Sequence, residues 1–513
     1  MPASAETYAI PPSVDAFLAG DHNLLIGDRW TPATSGETLD IVNPATGKVI
    51  AKAAMAGVED VDAAVRAARH AFDHGPWSKM MPAQRRALIL ALADEIEAHI
   101  EELAMIDTLN MGMPVPDARY FSVMLSIESL RYNAGWCGKI SGETVTVGVP
   151  DHHAYTIKEP IGVVGAIVPW NTPLMAGVIK IAPALAAGCT VILKPAEITP
   201  LTAVRLGQMI EKVGFPPGVV NILAGHGGIA GQALVEHPGV DKISFTGSTA
   251  VGQHLVRTAA GTMKRISLEL GGKSPVFIFP DADLELAIPM TAMLIFKNSG
   301  QICAAGSRLF AHHTIFDKVV AGIEDFARRF KVGSPLEMGV EMGPLVSEKQ
   351  MNRVTGYIDK GRADGAEVAC GGGRVGSEGF FVEPTVMVNA RPDISLVREE
   401  IFGPVLVAAP VTSNDLDQVA AIGNDSDYGL SAYVWTNNMS VGHQMARKLK
   451  TGSVRINGGV NLDANLPFGG AKMSGWGREY GRDGVEAFFE SKTVSVALTA
   501  GLGQSDASAI DLK

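Results

Sequence analysis

Cysteine is scarce in this chain. Its 513 residues carry only 4, at Cys137, Cys189, Cys303 and Cys370, too few and too scattered for the disulfide framework of a secreted scaffold. The opening MPASAETYAIPPSV lacks a charged region followed by an apolar core, so a cytoplasmic protein with reduced thiols is the expectation. An excess of basic charge is missing too. Asp and Glu number 54 against 43 Lys and Arg, a formal net charge of −11, which gives no basic footprint for a nucleic acid. Nor is there an uninterrupted apolar run. Between Pro160 and Leu193 the sole charged residue is Lys180, preceded by 20 uncharged residues, which is membrane-spanning length. Pro169, Asn171 and Pro173 break that stretch, so a buried strand, turn, helix and strand are expected there, with no membrane span. Internal repeats, low-complexity linkers and a G-x-G-x-x-G after the first sheet strand are absent as well, and no metal site is expected.

What is present is an ordinary α/β composition, 47% hydrophobic and 19% charged with 57 glycines. The length exceeds one compact core, so two or more domains are expected. Val42 to Ala56 reads as two strands around a Pro-Ala-Thr-Gly turn. Val61, Ala64, Val65, Ala68 and Phe72 recur at helical spacing, and Leu88, Leu92, Ile96 and Ile100 predict a second amphipathic helix after Pro82. Strand-like runs follow at 162–168, 190–194, 219–225, 242–247 and 265–270, with helical stretches between them. This alternation predicts a parallel sheet with ligands at the carboxyl ends of its strands. After about Gly271 the alternation restarts, which suggests a second α/β domain. The polar hairpin Gly142 to Pro160 and the late strand Glu490 to Leu498 fit neither unit, unless each is an edge strand of its own domain.

Two runs carry the chemistry. In NSGQICAAGSR (Asn298 to Arg308), Cys303 is flanked by Gly300, Ala304, Ala305 and Gly306, which leave room for a backbone to approach a ligand. A nearby helix N-terminus would favour its thiolate. In LELGGKSP (Leu268 to Pro275), Glu269 is a carboxylate on an otherwise apolar strand, costly unless paired or functional. Burial would raise its pKa and suit it to act as a base toward water. The bland readings are a structural thiol and a buried ion pair with a lysine. In VPWNTPL (Val168 to Leu174), Asn171 is either a turn residue or the donor to an oxyanion, a role worth about 3 kcal/mol in other oxyanion holes. FTGSTAVG (Phe245 to Gly252) leads from a strand into a helix whose backbone N–H groups and Ser248 hydroxyl suit a pyrophosphate. KPAE (Lys194 to Glu197) ends a strand with a lysine for ribose hydroxyls and a carboxylate that repels a 2′-phosphate, favouring NAD over NADP.

In this order these motifs resemble the aldehyde dehydrogenase superfamily, over nearly the whole chain. The resemblance implies a modified Rossmann parallel-sheet cofactor domain (1–140 and 160–270), a second α/β catalytic domain (271–485), a small β sheet joining subunits (141–159 and 486–503) and a tail (504–513). It implies Cys303 as nucleophile, Glu269 as the base for thioester hydrolysis, Asn171 in the oxyanion hole, and Lys180 and Glu479 in proton relay, although a structural ion pair would serve for those two. The presence of Glu269 implies a free acid as product. Cofactor contacts are implied for Val168, Trp170, Lys194, Glu197, Gly227, Gly231, Phe245, Thr246, Gly247, Ser248, Val251 and Leu270. Glu400 and Phe402 of EEIFGPVL would hold the nicotinamide ribose and ring. The expected partners are a small-molecule aldehyde and further copies of the chain in a homodimer or homotetramer.

Substrate choice rests on the pocket walls. Thr172 and Ile179 stand where well-known members for small aliphatic or retinoid aldehydes have aromatic residues, and Ile302 and Ala304 flank the nucleophile. Val460, Leu462 and Phe468 are expected at the mouth. The walls suggest a bulky apolar or aromatic aldehyde and lack an aromatic box for a quaternary ammonium. Arg455, where the family commonly has a bulky apolar or aromatic residue, either pairs with an acidic neighbour or recognises a carboxylate, the latter marking a semialdehyde dehydrogenase.

Overall fold

The structure is a computed structural model and describes residues 6–459 and 462–498; Val460 and the 504–513 tail lie outside them. Every strand expected between 162 and 270 forms. Val163–Ile167 and Thr190–Lys194 are buried along their whole length, which is why they read as unbroken apolar runs: helices cover both faces. In space the five parallel strands run Val220–Ile222, Thr190–Lys194, Val163–Ile167, Lys242–Thr246, Arg265–Glu269. In chain order this is 3-2-1-4-5, the doubly wound arrangement, with its switch point between Val163–Ile167 and Lys242–Thr246. Antiparallel strands close both edges, Leu24–Ile26 and Arg29–Thr31 on one side and Gly475–Trp476 on the other. That last strand comes from the span expected to belong wholly to the second domain, so the chain returns to the first sheet after leaving it.

The segment that mimics a membrane span is the strand Val163–Ile167, a turn, the helix Pro173–Ala187 and the strand Thr190–Lys194. Proline at the start of the helix and Gly188 with φ 101° at its end fix the boundaries. Among the described residues no helix is long and apolar enough to cross a membrane.

A second sheet has seven strands, in the order Glu367–Cys370, Thr385–Val388, Val405–Val411, Arg308–His312, Pro275–Ile278, Ser431–Trp435, Ser453–Ile456. All pairings are parallel except the first. A third sheet joins Thr144–Val145, His152–Pro160 and Phe489–Ala497 antiparallel. The polar hairpin and the late strand therefore pair with each other and are not edges of the larger sheets.

One helix departs from expectation. Leu92 and Ile96 are buried in the helix Pro82–Glu97, but Ile100 opens a separate helix, Ile100–Met111. The chain breaks at His99 (φ −124°, ψ 28°), whose ring Nδ1 bonds the Glu95 carbonyl at 2.8 Å. Hydrophobic spacing ran on across the break because both helices bury apolar faces.

Candidate active site

The carboxyl ends of the parallel strands gather most of the singled-out residues. Ile167 lies opposite Lys194 and Phe245, and Thr246 opposite Glu269. Val168, Trp170, Gly247 and Leu270 therefore follow directly on one edge of the sheet, at its switch point.

Cys303 sits in a turn between Lys297–Gly300 and the strand Arg308–His312. Its own segment therefore offers no helix N-terminus, contrary to expectation; the helix nearest in role is Pro173–Ala187, which starts just after Asn171 and Thr172. Of the small neighbours, Gly300 acts differently than expected, because protein fills the space it leaves, whereas Ala304 borders a cavity. Asn298, Ser299 and Gly300 have φ of 51°, 55° and 70°. A Cβ on Gly300 would stand 2.1 Å from the Gly403 carbonyl oxygen, and one on Gly272 would stand 2.4 Å from that of Cys303. Only glycine lets these backbones meet. Burial first, then the charges of Glu400 and Glu269, push the Cys303 thiol up to about 12.

Asn171 is held against the same turn. Its Nδ2 donates to the Gln301 carbonyl at 2.8 Å, while Asn298 Nδ2 donates to the Asn171 carbonyl at 3.1 Å. Glu269 is 4% exposed and its Oε2 is buried with no hydrogen-bond partner. Burial, then the nearby Glu479 charge, holds its carboxyl well above the usual carboxylate range, against the pull of Lys180 and Arg478. The buried ion pair considered for Glu269 belongs instead to Lys180, whose Nζ lies 2.5 Å from Glu479 Oε1 and 3.1 Å from Ser244 Oγ. Glu479 is positioned by a two-way backbone bridge to Phe468, at 2.7 and 2.8 Å.

Lys194 is 2% exposed. It donates to the Pro195 carbonyl at 2.8 Å, its Nζ lies 3.8 Å from Glu197 Oε2, and burial lowers its pKa to about 8. It is thus no surface lysine. Ser248 caps the helix Thr249–Ala259, accepting from Val251 N–H. Thr246 Oγ1 is buried and unpartnered, and Leu270 packs under Gly252, where a Cβ would stand 2.6 Å from its side chain. Glu400 accepts from Gly272 N–H at 2.9 Å and burial raises its pKa to about 7. Phe402, at φ 60°, meets Trp170 edge-to-face at 5.2 Å. Gly231 is buried beside the Lys194 side chain, whereas Gly227 is exposed with nothing near it.

A cavity of about 310 Å³ opens over these groups, lined by Cys303, Glu269, Asn171, Glu479 and Thr246. Thr172, Ile179, Ile302, Ala304, Leu462 and Phe468 form part of its wall. Sequence reasoning missed Met113, Asp117, Phe121, Met290, Met293, Lys297 and Tyr480. Lys297 lay legible six residues before Cys303, but Asp117 and Phe121 come from a distant helical segment with no local signal. Arg455 lines an adjoining cavity of about 220 Å³ that shares Leu462, Phe468 and Tyr480 with the larger one. Its Nη1 donates to Ser453 Oγ at 3.1 Å and its guanidinium lies 5.8 Å from the Tyr433 ring centroid.

A family model described as the aldehyde dehydrogenase family matches residues 30–494. A phenylacetaldehyde dehydrogenase of Pseudomonas fluorescens is 44% identical, over 95% of this chain and 98% of that protein. Retinal dehydrogenase 2 of Mus musculus is 45% identical, over 93% and 92%. The structure of an aldehyde dehydrogenase from Bacillus cereus in complex with NAD+ superposes with a TM-score of 0.95 at 45% identity, covering 96% of this chain and all of that one. With the fold, the cavity and these likenesses in agreement, the chain belongs to the aldehyde dehydrogenase family.

Proposed function

We propose that this protein oxidises a bulky apolar or aromatic aldehyde to the carboxylic acid with NAD. The observation that carries this reading is the convergence of Cys303, Glu269 and Asn171 on one cavity into which several Met, Phe, Ile and Leu side chains also face. The residues at the sheet's carboxyl edge suit a dinucleotide. The Thr246 hydroxyl is buried without a partner, the buried Lys194 ammonium beside Glu197 has donors to spare beyond its bond to the Pro195 carbonyl, the capped helix start at Ser248 suits a pyrophosphate, and Glu197 suits a ribose 2′-hydroxyl. When bound, NAD supplies the hydride acceptor.

The chain's own groups do the rest. The Cys303 thiol, which rests protonated, gives its proton to water in the cavity, and the sulfur then bonds the aldehyde carbon to give a thiohemiacetal whose former carbonyl oxygen carries the charge. The oxyanion that develops meets Asn171 Nδ2 and the Cys303 backbone N–H. Loss of hydride leaves a thioester on Cys303. Glu269, unpartnered at Oε2, removes a proton from the water that attacks it, and the acid and free thiol result. The Lys180–Glu479 pair lies beside Glu269 to take that proton onward. The relative acting on phenylacetaldehyde supports an aromatic substrate.

A second reading, a semialdehyde dehydrogenase, is favoured by Arg455 in the cavity that adjoins the mouth. An NADH-formation screen over phenylacetaldehyde, short linear aldehydes and carboxylated aldehydes separates the two. A preference for carboxylated substrates would replace the first reading with the second. The small three-stranded sheet is assigned to subunit contact in a cytoplasmic homodimer or homotetramer, since Val145, Val496 and Leu498 stand exposed on or beside it. Light scattering on the purified protein reads the mass directly.

A further inference from the structure

We propose that the Asp117–Lys297 ion pair in the cavity wall is a specificity subsite for an uncharged hydroxyl, so that the enzyme selects hydroxylated aromatic aldehydes over unsubstituted ones. This rests on the reading of the cavity as the site of an apolar aldehyde.

Lys297 Nζ lies 3.1 Å from Asp117 Oδ1 and 3.0 Å from Oδ2. The side chains are 25% and 14% exposed, and both line the cavity that holds Cys303. The same cavity is also lined by Met113, Phe121, Met290 and Met293. A charged pair in such a wall loses hydration that its mutual attraction only partly returns, so a polar group from the ligand would satisfy what is left over. An ammonium has three donors and a carboxylate about four acceptor positions. After two bonds to each other, both retain capacity. A hydroxyl is donor and acceptor at once, and can give its proton to Asp117 while taking one from Lys297. A carboxylate tail would gain from the lysine and lose to the aspartate, and a cationic tail the reverse. The pair therefore discriminates against net charge.

Both halves are firmly placed. Lys297 ends the helix Leu284–Phe296, where a cation is favoured, and its Nζ lies 5.9 Å from the Phe330 ring centroid. The left-handed residues that follow fix its spacing to Cys303. Asp117 begins the π-helical turn Ala118–Met124, which carries Phe121 into the same cavity; such turns are common at functional sites.

The test compares phenylacetaldehyde with its 3- and 4-hydroxy derivatives on the wild type, K297M, D117N and the doubly neutral D117L/K297M. The double variant leaves no unpaired charge and keeps the protein foldable should the single ones fail. The wild type should favour at least one hydroxylated substrate in kcat/KM by between about tenfold and a hundredfold, carried by KM, as befits hydrogen bonds to charged groups. In the double variant that ratio should fall to about unity. Equal losses on all three substrates would make the pair structural and overturn the proposal, as would a wild type indifferent to the hydroxyl. Should phenylacetaldehyde itself be no better than short linear aldehydes, the reading of the whole cavity would fail instead.

Discussion

Replacing Glu269 by Gln removes one carboxylate and leaves a side chain of nearly the same shape, so the two halves of the reaction should come apart. Attack, oxyanion stabilisation and hydride loss rely on Cys303 and Asn171, and a first burst of about one NADH per active site should survive. Thioester hydrolysis then lacks its base. A positioned general base contributes between about a hundredfold and ten-thousandfold, and steady-state kcat should fall by that factor. Stability should move the other way. The folded pKa of Glu269 is raised by burial and by Glu479 above the unfolded value of about 4.3. Between those two values the native state keeps a proton that the unfolded chain has released. Wild-type stability contributed by this group is thus full at low pH and declines as pH rises through the window, by about 1.4 kcal/mol for each unit of elevation. Gln has no such dependence, so E269Q should melt higher than wild type at pH 8 and alike at pH 4. Stopped-flow NADH absorbance and thermal melts read both. A variant that folds and binds NAD but gives no burst would assign Glu269 to the first half-reaction.

Cys303→Ala should abolish NADH formation from every aldehyde while NAD binding by fluorescence titration stays nearly intact; more than trace turnover would remove Cys303 from the mechanism. Glu197→Gln should narrow the preference for NAD over NADP, measured as the ratio of kcat/KM for the two, because it removes repulsion of a 2′-phosphate. Glu479→Gln should move the rise of kcat with pH to lower pH, since loss of a like charge lets Glu269 ionise more easily; a shift to higher pH would contradict the charge argument. Phe at Thr172 or Ile179 should depress kcat/KM for phenylacetaldehyde more than for a short linear aldehyde, by about tenfold or more given overpacking costs of about 1–3 kcal/mol, and equal losses would place these residues off the substrate path.

The parallel strands were legible because burial on both faces writes them as apolar runs, and the turns after them carry the residues of the cofactor edge. Glu269 was legible for another reason, as a carboxylate on an otherwise apolar strand, and Cys303 through its run of small neighbours and the resemblance that run carries. What stayed hidden depends on contacts remote in sequence. The break at His99 leaves the hydrophobic spacing intact. Asp117 reaches the cavity only because its helical segment packs across from Lys297, and no local pattern announces 180 residues of separation. Gly300 beside Cys303 suggested room for a backbone to approach a ligand, whereas that room is taken by the carbonyl of Gly403.

That last contact has a consequence for how the enzyme can change over generations. With Gly272 and Gly300 pressed against backbone carbonyls, a single added methyl at either would displace the turn that carries the thiol, so those two positions are closed to mutational exploration. The lining also includes the side chains of Met113, Phe121, Met290 and Met293, which yield readily to exchange. New substrates can thus be sampled by drift among these side chains, while the backbone around the nucleophile is inherited unaltered.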